Sequence, residues 1–155
     1  MFHHPIARLA WCFVGAACGI SLALWLVGPP VSPFLLASLG GSAMFLFGLT
    51  RAPAVQPRAL FGGHLIGATL GIACYQWLGD ALWVYALAQA LALATMLATR
   101  TLHPPAGANP ILMIHVQAGW TVLWQPVLLG VLTLAAVAWV WSRLYPGLVH
   151  YPVAV

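Results

Sequence analysis

Apolar runs of membrane-crossing length alternate with short polar breaks along the whole chain. The first run extends from about Ile6 to Val27 and closes on Gly28-Pro29-Pro30. Ser32-Pro33 opens the second, with serine placed to cap a helix and proline at its first position, and this run continues through Ser38, Gly40, Gly41 and Ser42 to about Leu49. A loop from Arg51 to Arg58 carries Pro53 and Pro57. The third run covers Ala59 to Leu78, Gly79-Asp80 turns the chain, and the fourth covers Ala81 to Ala98. The longest break follows, Thr99 to Pro110, then a short apolar segment, Ile111 to Ala118. The last run spans Thr121 to Ser142, with Pro126 predicted to kink it or mark its true start. A span needs about 20 apolar residues. The pattern therefore predicts an all-α, polytopic membrane helix bundle, a single transmembrane domain over residues 1–155. It has about five transmembrane helices and a proline-rich broken or re-entrant segment.

Composition removes the soluble alternatives. Of 155 residues 63% are hydrophobic and 4% charged, too few charges to cover a soluble surface. The cations are all arginines, Arg8, Arg51, Arg58, Arg100 and Arg143, and the sole acid is Asp80. Spread singly between apolar runs, the arginines describe topology rather than a nucleic-acid surface. In a five-span count Arg8, Arg51, Arg58 and Arg100 share one side, Asp80 takes the other, and Arg143 dissents. Trp11, Trp120 and Trp124 fall on the arginine side, and Trp25, Trp77, Trp83, Trp139 and Trp141 opposite. The N-terminus is then cytoplasmic and the C-terminus outside, unless Ile111 to Ala118 crosses fully, which flips the C-terminus. Cys12, Cys18 and Cys74 form no Cys-x-x-Cys pair and read as small apolar packing residues.

Small residues recur every fourth position at Gly63, Gly67 and Gly71, and again at Ala86, Ala90, Ala94 and Ala98. Such stripes let helix backbones approach closely in lipid. They predict a tight hairpin of spans 3 and 4. Thr50-Arg51 and Thr99-Arg100 each end a span before a proline loop, an internal echo.

Chemistry concentrates in the long break. His103-Pro104-Pro105-Ala106-Gly107-Ala108-Asn109-Pro110 cannot continue a helix, because proline lacks an N–H and disfavours helix in the residue before it. Irregular backbone at membrane depth must be buried in protein or line a wet cavity. Asn109-Pro110 has the form of a helix start whose free N–H groups would face the loop and favour an anion, and Gly107 would allow close approach. A compact structural turn explains the same residues. Arg58 and Arg100 border proline loops, where a deep guanidinium needs a partner or a function. His64, His103 and His115 could relay protons; as metal ligands they lack a common helix face and an assisting carboxylate. Gln56, Gln89, Asn109 and Gln117 offer neutral hydrogen bonds to a small polar solute. No residue set suggests hydrolysis, and the chain is not expected to be an enzyme, to need a cofactor or to hold a metal.

His103-Pro104-Pro105-Ala106-Gly107-Ala108 resembles the signature of the HPP family of small integral membrane proteins. Ala37-Ser38-Leu39-Gly40-Gly41-Ser42-Ala43 resembles the family's small-residue segment. Pro53 through Gln56-Pro57-Arg58, with Gly62-Gly63-His64, resembles its second block. The resemblance covers roughly Phe34 to Ile111. It implies a four- or five-span protein and a transporter, some relatives being associated with nitrite.

The expectation is a channel or transporter for a small inorganic anion, nitrite-like, in a bacterial cytoplasmic (inner) membrane. Its site is expected where the loop His103, Pro104, Pro105, Gly107 and Asn109, with Arg100, faces His64, Arg58, Gln56 and Gly40, Gly41 and Ser42. Partners are the lipid bilayer, the anion substrate and other copies in a homo-oligomer, with no nucleic acid. A non-transporting membrane subunit or sensor is the alternative, and a metal-handling membrane protein the third reading.

Overall fold

The structure is a computed structural model that describes residues 5–28, 36–144 and 149–153. The predicted helix start at Ser32-Pro33 lies outside the described residues. Within them six α-helices form: α1 Pro5–Val27, α2 Ala37–Gly48, α3 Pro57–Leu78, α4 Leu82–Ala98, α5 Asn109–His115 and α6 Leu129–Trp141. Proline within the first two positions starts α3 and α5, where its missing N–H is not needed. Gly79 ends α3 at a positive φ of 84°, open to glycine at little cost. Pro126 lies in a π-type stretch, Leu123–Leu128, broken at the non-helical Gln125, so the regular helix begins at Leu129. Ile6–Val27 and Leu123–Trp141 are long and apolar enough by themselves to cross a membrane.

Where about five spans were expected, with Ile111 to Ala118 left to re-enter or to cross, the described residues form six helices, and that segment runs through the bundle. Pro104–Ala108 winds as a 3₁₀ helix that leads directly into α5, and the two travel from one pole of the bundle to the other. At the start of that path Arg58 donates from Nη2 to the carbonyl of Thr99 at 2.7 Å. At its end Gln117 donates from Nε2 to Asp80 Oδ2 at 3.5 Å, beside the turn between α3 and α4. The break itself is confined to Thr99–His103, where Arg100 takes a positive φ of 56° and His103 is extended.

Because the segment crosses, the return through α6 ends at the arginine pole. Arg8, Thr50, Arg51 and Ser142 line one cavity there. Tyr151 donates its hydroxyl to the Val55 carbonyl at 3.0 Å, and Val153 N–H donates to Gln56 Oε1 at 2.8 Å. At the opposite pole Gln125 Nε2 donates to the carbonyl of Val27 at 2.8 Å. Arg143 no longer dissents, and residues 149–153 lie on the same side as the start of α1. The tryptophan assignment changes with it: Trp141 stacks on Trp11 at 4.5 Å, and Arg143 sits 4.1 Å over the Trp139 ring, both at the arginine pole.

The predicted partner of the glycine stripe is also corrected. A Cβ on Gly63 would meet His103 Cβ at 2.7 Å, one on Gly67 the Ala106 carbonyl at 2.8 Å, and one on Gly71 the Pro110 carbonyl at 2.8 Å. Each four-residue step along α3 thus matches a step along the signature segment, which runs parallel to it in the glycine groove. The two antiparallel helices α3 and α4 do pack together, but Ala86, Ala90, Ala94 and Ala98 are exposed. The buried face of α4 is Val84, Ala88, Ala92 and Met96, the same period two residues out of phase. Val84 and Ala88 cluster with Cys74 and Ile114, and Ala92 and Met96 with Ala106. A second core, of Leu39, Leu46, Val131 and Leu134 with Ala23, joins α1, α2 and α6.

Candidate functional site

Inside this frame α2, α3 and the signature segment bring four polar side chains together, and all four are fully buried (0% exposed): Ser42, His64, His103 and Asn109. Ser42 is carried to the centre by the α2 face that also buries Ser38 and Leu39. His64 follows Gly63 on the grooved face of α3. His103 is the last extended residue before the 3₁₀ turn, and Asn109 begins α5. Asn109 does not act as the helix cap the sequence suggested, since its own backbone is already helical. Its amide turns instead toward α3.

The hydrogen-bond partners fix most of the protons. Asn109 Nδ2 lies 3.2 Å from the carbonyl of His64, which only accepts, so the amide nitrogen is on that side. The same nitrogen is 3.1 Å from His64 Nδ1, which must then be the bare ring nitrogen. His64 carries its proton on Nε2 and donates to Ser42 Oγ at 2.8 Å. His103 Nδ1 faces the carbonyl of Ala54 and donates to it. The other ring nitrogen, Nε2, is 2.8 Å from Ser42 Oγ. The serine oxygen is also 2.8 Å from the carbonyl of Ser38, one turn back in its own helix. One hydroxyl therefore joins two imidazoles whose ring centres are 5.3 Å apart. Asn109 Oδ1 is buried and has no hydrogen-bond partner among the described residues.

The other residues singled out by sequence lie around this centre rather than in it. Gly41 faces Pro105 closely enough that a Cβ would stand 3.0 Å from the ring's Cβ, so glycine admits the proline. Gly40 has nothing within 4 Å of a Cβ and borders a cleft toward α1 instead. Gln56 is a clamp, donating to the carbonyls of Thr50 and Ala52 while accepting from Val153. Arg58 is exposed and spent on Thr99; Arg100 and Pro104 are exposed, and Gly107 is half-buried beside Gln89. Neither guanidinium reaches the histidines, because both sit at the pole where water solvates them more cheaply than the interior could. Sequence reasoning missed the carbonyls of Ser38 and Ala54. Ser38 and Ser42 at a four-residue spacing were the available signal for the first; a backbone acceptor such as Ala54 leaves none.

A cavity of about 450 Å³ opens at the arginine pole, lined by Arg8, Arg51, Thr50, Ser142 and Trp141 among others. It reaches Ala52, two residues before the Ala54 carbonyl that holds His103.

The molecule is thus a polytopic helical bundle with a closed imidazole centre at its signature segment. The family described as HPP, transmembrane region, matches residues 2–152, and the chain belongs to it. A transmembrane protein of Dictyostelium discoideum is 34% identical over 113 residues, 68% of this chain and 36% of that protein. A second from the same organism is 32% identical over 112 residues, 67% of this chain and 39% of its own length. The chain thus spans under two fifths of the length of these curated relatives. No solved structure matches it. Membership in a transmembrane family places the chain in a membrane, and the exposed apolar side chains, such as Phe13, Trp25, Leu82 and Leu91, then face lipid.

Proposed function

We propose that the protein is a carrier for a small monovalent inorganic anion of the nitrite or nitrate kind, and that the anion binds beside the His64–Ser42–His103 centre. The observation that carries this reading is the centre itself: four buried polar side chains, all uncharged or basic, at the signature segment of a transmembrane family. Ionisable side chains at membrane depth are costly and rare, and those present mark solute and proton paths. The sole acid of the chain, Asp80, is at the far pole, so no carboxylate stands near the histidines to repel an anion. The cavity with Arg8 and Arg51 would raise the local anion concentration at one mouth. Because the four residues are sealed from solvent, the reading is an occluded carrier rather than an open channel.

By the positive-inside rule the arginine pole faces the cytoplasm. The expected bacterial membrane finds no support in the relatives, both from Dictyostelium. The centre is complete within one chain, so an oligomer is not needed to build it. The test is nitrate and nitrite uptake by proteoliposomes, with His103→Gln and the exposed Arg100→Gln for comparison. Uptake by wild type and Arg100→Gln, lost in His103→Gln, supports the reading; equal uptake in all three removes the site. The closed packing of the centre favours one second reading, a membrane subunit that transports nothing. That reading is left if wild-type vesicles match protein-free ones.

A further inference from the structure

We infer that the centre binds one proton, at His103 Nε2, together with the anion, so that the carried unit is an electrically neutral pair. This rests on the anion-carrier reading and names its coupling ion.

The argument is a count of hydrogens. Ser42 Oγ has one, yet it stands 2.8 Å from the Ser38 carbonyl, from His64 Nε2 and from His103 Nε2. With both rings neutral, the fixed tautomers put a proton on His64 Nε2 and none on His103 Nε2. The Ser42 hydrogen must then point to His103, and the Ser38 carbonyl faces the serine oxygen with no hydrogen between. Add one proton to His103 Nε2 and every contact is satisfied: both imidazoles donate to Ser42 Oγ, and its hydroxyl turns to donate to Ser38. The other bare ring nitrogen, His64 Nδ1, cannot take the proton on the same terms. It already accepts from Asn109 Nδ2, so a proton there would set two donors face to face.

Among the described residues no charged side chain meets this nitrogen from the elements around it. α2 presents Ser42, the Ser38 carbonyl and the edge of Phe45, α3 presents His64, the loop before α3 presents the Ala54 carbonyl, and α5 contributes Asn109 through His64. Arg58 is turned onto Thr99. An imidazolium in this dry centre therefore lacks a counter-charge from the protein, and a lone buried charge is strongly disfavoured. A monovalent anion supplies the missing charge, and the imidazolium removes the equal cost of burying the anion. Each binds the other's complement. The proton comes from solvent and leaves to solvent, and no covalent bond besides N–H changes.

Nitrate is the probe, because its conjugate acid is too strong to carry protons across lipid unaided. Proteoliposomes with a trapped pH indicator and a potential clamped by potassium and valinomycin are given a nitrate gradient. The inference expects one proton taken up per nitrate and a rate independent of the clamped potential. Nitrate uptake that follows the potential without acidification overturns it while leaving the anion reading intact. Absence of both nitrate and nitrite uptake overturns the anion reading instead. The proton site is then decided by ¹⁵N spectra of histidine-labelled protein in nanodiscs, titrated with acid and nitrate. A doubly protonated ring that disappears in His103→Gln upholds the site; a His103 Nε2 that stays bare throughout overturns it.

Discussion

A methyl group placed on Gly67 would stand 2.8 Å from the carbonyl oxygen of Ala106. Backbone cannot retreat as a flexible side chain can, so Gly67→Ala must push the signature segment off α3. Overpacking of this kind costs about 1–3 kcal/mol. Thermal unfolding in detergent should show the loss for Gly67→Ala and Gly71→Ala, whereas Gly40→Ala, with open space at its Cβ, leaves the transition unchanged. An unchanged midpoint for all three would mean the groove is not filled by this segment.

Ser42→Ala removes the one oxygen shared by both histidines and leaves the His64 Nε2–H without an acceptor. Stranding a buried donor costs about 1–3 kcal/mol. Thr133→Val is the control: Thr133 Oγ1 only donates back to the carbonyl of Leu129 in its own helix, so its loss should cost less than about 1 kcal/mol. Equal effects would place no special weight on the centre.

Tyr151, outside the crossing segments, is pushed up to about 12 by burial. The folded state thus favours the neutral phenol, so this contribution is fully present below the ordinary tyrosine value of about 10 and is lost as pH rises toward 12. Stability against pH should fall over that window. In Tyr151→Phe the fall attributable to this group should vanish, and the variant should be weaker by about 1 kcal/mol at neutral pH through loss of the bond to Val55.

Much of this arrangement was legible in the chain, and the exceptions have physical causes. The glycine period at Gly63, Gly67 and Gly71 announced a face for close approach, but periodicity does not say what approaches. The equally regular Ala86, Ala90 and Ala94 offered a false partner, while the true buried row, Val84, Ala88, Ala92 and Met96, is ordinary in composition. Whether the signature segment re-enters or runs through the bundle was left open, because only Ile111 to Ala118 reads as apolar. Its first half is the 3₁₀ turn at Pro104–Ala108, which rises about 2 Å per residue and so covers distance with few residues. Its polar members looked like loop (His103) and helix cap (Asn109) because their hydrogen bonds go to His64, Ser42 and Ala54, far away in sequence. The meeting of His103, His64, Ser42 and Asn109 was expected from the motif blocks. The outward turn of Arg58 and Arg100 was not, since their place beside the proline loops does not say which way a long side chain turns.

The anion and proton readings both presuppose that the signature segment crosses the bundle beside α3. Side-specific labelling of single cysteines in sealed vesicles measures this most directly, with Pro53→Cys, Ala81→Cys and Leu144→Cys introduced after replacing Cys12, Cys18 and Cys74. Pro53 and Leu144 should react from one side of the membrane and Ala81 from the other, since six crossings return the end of α6 to the arginine pole. Reaction of Pro53 and Leu144 from opposite sides would contradict the crossing, and the buried histidine centre with it.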